Sequence, residues 1–171
     1  MKKIYLQVAG FLDNSLVNGT GLRSVLFVSG CKHNCNGCHN KEIQSFCYGD
    51  RVSLDNILDR IKNNMPLIRG ITFSGGEPFE HVDKLIILAK EIKKLNLNIW
   101  CYTGYTFEEI LERSNEDNNW KEFISYIDVL VDGKFQEHKK DTSLKYRGSK
   151  NQRIIDMNKS LNCHKAIILS L

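Results

Sequence analysis

The chain has 171 residues, of which 42% are apolar and 26% charged, with a net charge of +4. This length suits one core, and because no linker or repeat divides the chain we expect residues 1–171 to form a single domain. No apolar run approaches the ~20 residues of a membrane span, and the opening MKKIYLQVAGFLDNS has no small-residue cleavage site after it, so we expect a cytoplasmic protein without a signal peptide.

Apolar strand-like runs alternate with helical periods along the chain. In chain order the sequence predicts strands in KKIYLQVAGF and RSVLFVSG, a helix in SLDNILDRIKNN with Ser53 as N-cap, a strand in GITFSGGEP, a helix in HVDKLIILAKEIKKLN, a strand in LNIWCYTG, helices in TFEEILERS and NWKEFISY, and strands in IDVLVDGKF and QRIIDM. Such repeated βα units favour a mostly parallel sheet. A closed eight-unit barrel needs ~250 residues, so the predicted fold class is α/β, a partial and open (βα) barrel.

Four predicted strands end in a polar or glycine-bearing turn. Ligands of α/β sheets bind at the carboxyl ends of the strands, so these turns are expected to converge on one site. The open side of the barrel would leave room for a large substrate. The turns are Ser29-Gly30, Ser74-Gly75-Gly76, Thr103-Gly104 and Asp132-Gly133.

Three of the six cysteines lie within eight positions in CKHNCNGC, namely Cys31, Cys35 and Cys38. A structural zinc ion would need a fourth ligand, for which only His33 or His39 is at hand. A [4Fe–4S] cluster fits better, because three thiolates hold three irons and leave the fourth open to a ligand from outside the protein. Cys47, Cys101 and Cys163 are scattered. Cys101 is predicted to be a small core residue, and Cys47 would be the nearest fourth ligand if the protein were only an electron carrier.

A second motif, SGGEP at Ser74–Pro78, joins the C-x3-C-x2-C spacing. Together they resemble the signature of the radical S-adenosylmethionine superfamily. The resemblance implies a [4Fe–4S] cluster whose open iron is chelated by the amino and carboxylate groups of S-adenosyl-L-methionine. It also implies that Ser74, Gly75, Gly76 and Glu77 contact the methionine amino group, with Glu77 as an acceptor for the ammonium.

Three further stretches narrow the resemblance to one branch. CHN at residues 38–40 resembles the activating enzymes of glycyl radical proteins. The glycine before the third cysteine, VLVDGKF at residues 129–135 and YRGSKNQRIID at residues 146–156 are similar to the proteins that activate anaerobic ribonucleoside-triphosphate reductase. Radical S-adenosylmethionine enzymes often carry, at the position of Gly37, an aromatic residue that packs near the adenine. The resemblance therefore places Gly37, Cys38 and His39 beside the adenine, with the His39 ring in place of the missing aromatic side chain. Asp132 is a candidate contact to the ribose, the sulfonium or a cation.

The resemblance implies an oxidoreductase that reductively cleaves S-adenosylmethionine to a 5′-deoxyadenosyl radical and uses it to form a glycyl radical on the large reductase subunit. No side chain is expected to act as a general acid or base, so no catalytic residue is predicted beyond the cluster and cofactor. The alternatives are an activase of a pyruvate formate-lyase type enzyme and, less favoured, a non-catalytic iron–sulfur electron carrier.

The positive charge is concentrated near the carboxyl end. Residues 134–165, here called the basic segment, hold nine Lys or Arg against three acidic residues, a net charge of +6. Such a segment is expected to dock the reductase or an electron donor of the flavodoxin or ferredoxin type. Neither nucleic acid nor a membrane is expected as a direct partner.

Overall fold

The computed structural model describes residues 3–115 and 117–171. Within these residues there are seven strands, β1 Tyr5–Ser15, β2 Arg23–Val28, β3 Asp50–Ser53, β4 Gly70–Gly75, β5 Asn98–Tyr102, β6 Val129–Asp132 and β7 Arg153–Asp156. The same residues form five α-helices, α1 Leu54–Asn63, α2 Val82–Lys94, α3 Phe107–Arg113, α4 Trp120–Tyr126 and α5 Met157–Cys163. None of these helices is both long and apolar enough to cross a bilayer.

All seven strands belong to one sheet in the order β3-β1-β2-β4-β5-β6-β7. The central strands β2, β4, β5 and β6 are parallel, and they place Val28 beside Gly75, Phe73 beside Cys101 and Tyr102 beside Val131. Their carboxyl ends therefore share one edge of the sheet. The sheet begins at β3 and ends at β7 without closing, which confirms the predicted α/β class and the open, partial barrel with a mostly parallel centre.

Strands β1 and β7 run opposite to the central strands, whereas β3 at the edge runs in the same direction as they do. β1 pairs antiparallel with both β2 and β3, and β7 pairs antiparallel with β6. The physical reason at β1 is its connection, because residues 16–22 are too few for the crossover that a parallel pair requires. β3 and α5 were not predicted. Ser53 caps α1 as predicted, since its hydroxyl accepts the N–H of Asn56 at 3.2 Å.

The helices cover one face of the sheet and build the main core there. Alternation along β5 separates the faces: Cys101 is buried in the main core as predicted, and Trp100 lies in a second cluster with Val131 and Ile154 on the other face. Burial raises the pKa of the Cys101 thiol well above its ordinary value. This cysteine is therefore an inert packing residue.

A buried cation closes the amino end of the parallel strands. The Arg23 guanidinium is fully buried and donates to the Thr72 hydroxyl at 2.9 Å and to the Asn98 side-chain oxygen at 2.6 Å. It also donates to the carbonyl of Thr20, in the segment that connects β1 to β2. Desolvation lowers the pKa of Arg23 to about 10. These bonds fix the connection across the amino ends of the strands, opposite the edge that carries the motifs.

Candidate cofactor site

The cysteines lie in the loop of residues 29–45 that follows β2, here called the cysteine loop. Its two ends are held together because the N–H of Gly30 donates to the carbonyl of Ile43 at 2.7 Å and that of Cys31 to Gln44 at 3.0 Å. A tight turn joins the second and third cysteines, with the Cys38 N–H donating to the Cys35 carbonyl at 3.2 Å. All three thiols are partly exposed. The loop thus presents three metal-binding side chains at the carboxyl edge of the sheet.

The thiols lie close enough to influence one another. Burial raises the pKa of the Cys31 thiol to about 11, and Glu77, Cys35 and Cys38 add to that rise. The pKa of Cys35 is also raised, mainly by burial and then by Cys38, while Lys134 opposes the rise. Iron binding to these thiols therefore displaces protons, and a cluster that takes three thiolates relieves the unfavourable proximity of their charges.

The glycine turn of residues 74–78 lies directly against the cysteine loop. The Gly76 N–H donates to the Val28 carbonyl at 2.7 Å and the Glu77 N–H to the Gly30 carbonyl at 2.8 Å. A Cβ added to Gly76 would stand 2.3 Å from the Gly30 oxygen, so only glycine permits this approach. Ser74, Gly75 and Gly76 remain half-buried and reachable. The two motifs, more than 35 residues apart in sequence, form one surface.

Glu77 is the most heavily bonded residue of the site. Its carboxylate is 1% exposed. One oxygen accepts the Thr103 hydroxyl at 2.9 Å and the Phe79 N–H at 3.0 Å. The other accepts the Gly104 N–H at 2.8 Å and lies 2.7 Å from Nε2 of His33. Thr103 and Gly104 therefore belong to the site, as expected for the carboxyl end of β5, but both donate hydrogen bonds to the Glu77 carboxylate.

The sequence indicates His33 only as a possible zinc ligand, whereas the structure places its imidazole against the Glu77 carboxylate. The imidazole packs edge-on against Tyr105 with ring centroids 4.4 Å apart. A Cβ on Gly104 would stand 2.5 Å from the His33 ring, which explains the glycine after Thr103. The sequence shows a histidine between two cysteine ligands and a glycine at a strand end, but neither feature identifies Glu77 as the partner of His33.

The adenine-side residues are also close together. Gly37 has φ of +72°, and a Cβ there would stand 2.7 Å from the Glu137 side chain. The His39 ring lies 5.1 Å from the Phe135 ring, centroid to centroid. The loop after β6 therefore packs against the residues on either side of the third cysteine. Contact of Gly37, Cys38 and His39 with the adenine stays a prediction.

Asp132 is 1% exposed at the end of β6, and its carboxylate already has partners. Its oxygens accept from Arg153 Nε at 3.0 Å and from the Phe107 N–H at the start of α3 at 2.8 Å. Arg153 also forms a two-pronged ion pair with Glu108, which lowers the pKa of Glu108. This network ties β6, β7 and α3 together. A contact of Asp132 with the cofactor stays a prediction, and it would require Arg153 to move.

The stretch at residues 147–153 supports the loop after β6. Asn151 donates to the Lys134 carbonyl at 2.8 Å and Gln152 to the Gly133 carbonyl at 3.0 Å. Gln152 also accepts the N–H groups of Gly148 and Ser149. These polar side chains therefore shape the loop that carries Phe135 and Glu137, and they are more than a solvated surface.

The donor set and its surroundings fit a [4Fe–4S] cluster with S-adenosylmethionine. Three thiols on one loop suit a cube with one open iron. The half-buried glycine turn exposes backbone groups beside them. The buried hydroxyl of Ser29, the first residue of the cysteine loop, has no hydrogen-bond partner among the described residues. An unpaired buried hydroxyl of this kind can form a hydrogen bond to a group that binds beside the loop.

Comparisons with known proteins agree with this fit. A family described as a 4Fe-4S single cluster domain matches residues 17–155. Anaerobic ribonucleoside-triphosphate reductase-activating proteins are similar over most of their length. The Pasteurella multocida protein is 40% identical over 152 residues, covering 84% of this chain and 93% of its own. The Haemophilus influenzae protein is 38% identical (88% and 96% covered), and the Escherichia coli K12 protein 36% identical (80% and 90% covered).

The chain belongs to the family of anaerobic ribonucleoside-triphosphate reductase-activating proteins. Membership confirms the predicted superfamily and branch, and the family model confirms the [4Fe–4S] cluster and decides against the zinc alternative. Among solved structures, QueE from Escherichia coli has a similar fold, with a TM-score of 0.50 and 18% identity over 60% of this chain and 53% of QueE. That likeness concerns the fold alone.

Proposed function

We propose that this protein is the activase of an anaerobic ribonucleoside-triphosphate reductase, forming a glycyl radical on the large reductase subunit. Cys31, Cys35 and Cys38 would hold a [4Fe–4S] cluster which, when reduced and loaded with S-adenosylmethionine, would supply reductive cleavage of that cofactor to methionine and a 5′-deoxyadenosyl radical able to take a hydrogen atom from glycine Cα. The proposal is supported by family membership and, above all, by the packing of the cysteine loop on the glycine turn.

The residues of the chain bind and orient in this reaction. Cys31, Cys35 and Cys38 hold the cluster. The half-buried backbone of Ser74, Gly75 and Gly76 lies beside them and offers carbonyls to the amino group of the cofactor. Glu77 supplies a buried negative charge behind that turn. No proton transfer by a side chain is required, so the chain contributes binding, orientation and protection from water.

The open side of the sheet suits a protein substrate. Because β3 and β7 do not meet, a glycine-bearing loop has access to the carboxyl edge from the side. The basic segment borders this edge, with Lys139 and Lys140 exposed and Lys134 near Cys35. We assign it to docking of the reductase or of a flavodoxin or ferredoxin type donor, in a cytoplasmic protein whose residues 1–171 form a single domain.

The test is anaerobic reconstitution with iron and sulfide, reduction, and addition of S-adenosylmethionine. We expect 5′-deoxyadenosine, and with the purified reductase a glycyl doublet in the electron paramagnetic resonance (EPR) spectrum. Activation of a formate-lyase type enzyme in place of the reductase would indicate another activase. A loaded and reduced protein that leaves S-adenosylmethionine intact would be an electron carrier.

Charge reversal tests the basic segment separately. Replacing Lys139, Lys140 and Lys150 by Glu should weaken complex formation with the reductase or the donor and reduce its dependence on salt. Cleavage of S-adenosylmethionine with a chemical reductant should remain, because these side chains are exposed and do not contact the cysteine loop's thiols. Unchanged association would remove the docking role and leave the activase proposal standing.

A further inference from the structure

The Glu77 carboxylate is the feature that the sequence motif and the structure describe differently. The motif presents it as an acceptor for the ammonium of S-adenosylmethionine. A carboxylate has about four lone-pair positions, and in this site four donors already occupy them, from Phe79, Thr103, Gly104 and His33. An ammonium could reach this carboxylate only by displacing one of these donors.

The four donors come from three different parts of the chain. Phe79 belongs to the segment after the glycine turn, Thr103 and Gly104 to the end of β5, and His33 to the cysteine loop between two cluster ligands. Because a carboxylate can only accept, the His33 Nε2 carries the hydrogen of this contact. Glu77 therefore connects the cysteine loop to the ends of β4 and β5.

The contact between His33 and Glu77 is buried on both sides. The side chains are 8% and 1% exposed, and the ring is held between Tyr105 and the Cα of Gly104. A neighbouring pair gives the contrast: Lys32 lies 2.6 Å from Glu80 and joins the cysteine loop to the segment after the glycine turn, but the Lys32 side chain is 70% exposed. Exposed pairs of this kind contribute little, whereas a buried charge-assisted hydrogen bond fixes geometry.

We propose that His33 and Glu77 are positioning residues which set the cysteine loop in register with the glycine turn, and that the turn's backbone, not the Glu77 side chain, takes the ammonium. This rests on the proposed function for the identity of the cofactor. The consequence is that loss of His33 should impair cofactor binding as much as loss of Glu77 does, although only Glu77 lies in the motif.

A double-mutant cycle on the cluster-loaded protein tests this. His33→Ala and Glu77→Gln should each keep the iron content but weaken S-adenosylmethionine binding about tenfold or more, read from the change that the cofactor causes in the EPR spectrum of the reduced cluster. The double variant should bind no worse than either single one, since both remove the same connection. Losses that multiply would mean that Glu77 contacts the cofactor itself, and would overturn the proposal.

Two further variants keep the test decisive. Glu80→Gln is the matched control, which breaks the exposed pair with Lys32 and should bind like the wild type. Gly104→Ala keeps both positioning side chains but pushes the imidazole away, and it should reproduce the loss seen in His33→Ala even if Glu77→Gln fails to fold. Binding by Gly104→Ala and His33→Ala equal to that of Glu80→Gln would refute the proposal.

A readout without cofactors separates this proposal from the proposed function. In the cluster-free full chain, amide hydrogen exchange over residues 31–38 should be faster in His33→Ala than in Glu80→Gln. If the wild type loads a cluster but ignores S-adenosylmethionine, the proposed function fails, and the exchange result still decides whether the contact holds the loop. If the wild type cleaves the cofactor and exchange in His33→Ala is unchanged, only the positioning role fails.

Discussion

The Cα of Gly76 faces the carbonyl oxygen of Gly30 so closely that a Cβ would stand 2.3 Å from it. Gly76→Ala should therefore push the glycine turn off the cysteine loop. Because the obstacle is backbone, we expect a loss of about 1–3 kcal/mol in the free energy of unfolding of the cluster-free protein, measured by urea denaturation, and weaker S-adenosylmethionine binding after loading.

The matched control is Gly10→Ala in β1, where a Cβ would meet Phe27 at an ordinary 3.8 Å. This substitution should be neutral or stabilise by under about 1 kcal/mol, because it restricts the unfolded chain. Equal stability of the two alanine variants would mean that the close approach at Gly76 has no energetic weight.

The cysteines should divide into two groups. Cys31→Ala, Cys35→Ala and Cys38→Ala should each abolish stable cluster binding, since two thiolates cannot retain a cube that needs three. Iron and sulfide content and visible absorbance after anaerobic reconstitution measure this. Cys163→Ala, at an exposed position in α5, should load normally. Loss of the cluster in Cys163→Ala as well would mean that the ligand set is wrong.

Gly37 combines a left-handed backbone with a close neighbour, and a pair of variants separates the two effects. Gly37→Ala should cost about 1–2 kcal/mol through its φ of +72°. The two nearest atoms of Glu137, Cδ and Oε2, lie at the far end of a flexible side chain, so their contact should add little. Urea denaturation should then give a similar cost in a Glu137→Ala background. Disappearance of the cost in that background would make the contact, and not the backbone, the reason for glycine.

Arg153 neutralises the carboxylate of Asp132, which is almost completely buried. Arg153→Met should cost about 2–3 kcal/mol, less than the about 3–5 kcal/mol of a fully buried pair, because the Arg153 side chain is 32% exposed. Adding Asp132→Asn should recover most of the loss, since the buried charge is then gone. The four denaturation curves of this cycle give the coupling, and additive losses would mean that the two residues do not act as a pair.

Asp13 predicts a pH dependence. Arg60 and Asn64 lower the pKa of Asp13 to about 2. The ion pair therefore stabilises the fold above the ordinary aspartate pKa of 3.8, and the contribution is lost as the pH falls through about 2. Asp13 is partly exposed, so Asp13→Asn should cost under about 1 kcal/mol at neutral pH. Urea denaturation at several pH values should show the free energies of unfolding of the wild type and Asp13→Asn converging in acid. A difference that stays constant with pH would contradict the lowered pKa of Asp13.

Much of the site could be predicted from sequence because its motifs are local. The three cysteines lie within one loop and the two glycines within one turn, so each motif can be recognised from residues that are close in sequence. Parallel strands then bring these motifs to one edge of the sheet. The contacts of Glu77 could not be predicted in this way, since His33 and Gly104 come from distant segments and neither residue type specifies a carboxylate partner. Likewise, the hydrogen bonds of Asn151 and Gln152 depend on the path of the chain after β6.

The fold followed the same division. The apolar runs of β2, β4, β5 and β6 indicate buried parallel strands without reference to the rest of the chain. β3 has four residues, of which Asp50 and Arg51 are exposed, and its place at the sheet edge comes entirely from pairing with β1. A segment so short has no periodicity to read, and this explains why it was missed.

The cysteine loop is closed by its own backbone bonds, between Gly30 and Ile43 and between Cys31 and Gln44. The metal ligands are thus supplied by a few consecutive residues set on a sheet that has its own apolar core. Oxygen damage to the cluster should then leave a folded chain that can be reloaded with iron and sulfide. The injury becomes permanent only when the thiols themselves are oxidised beyond the reversible stage.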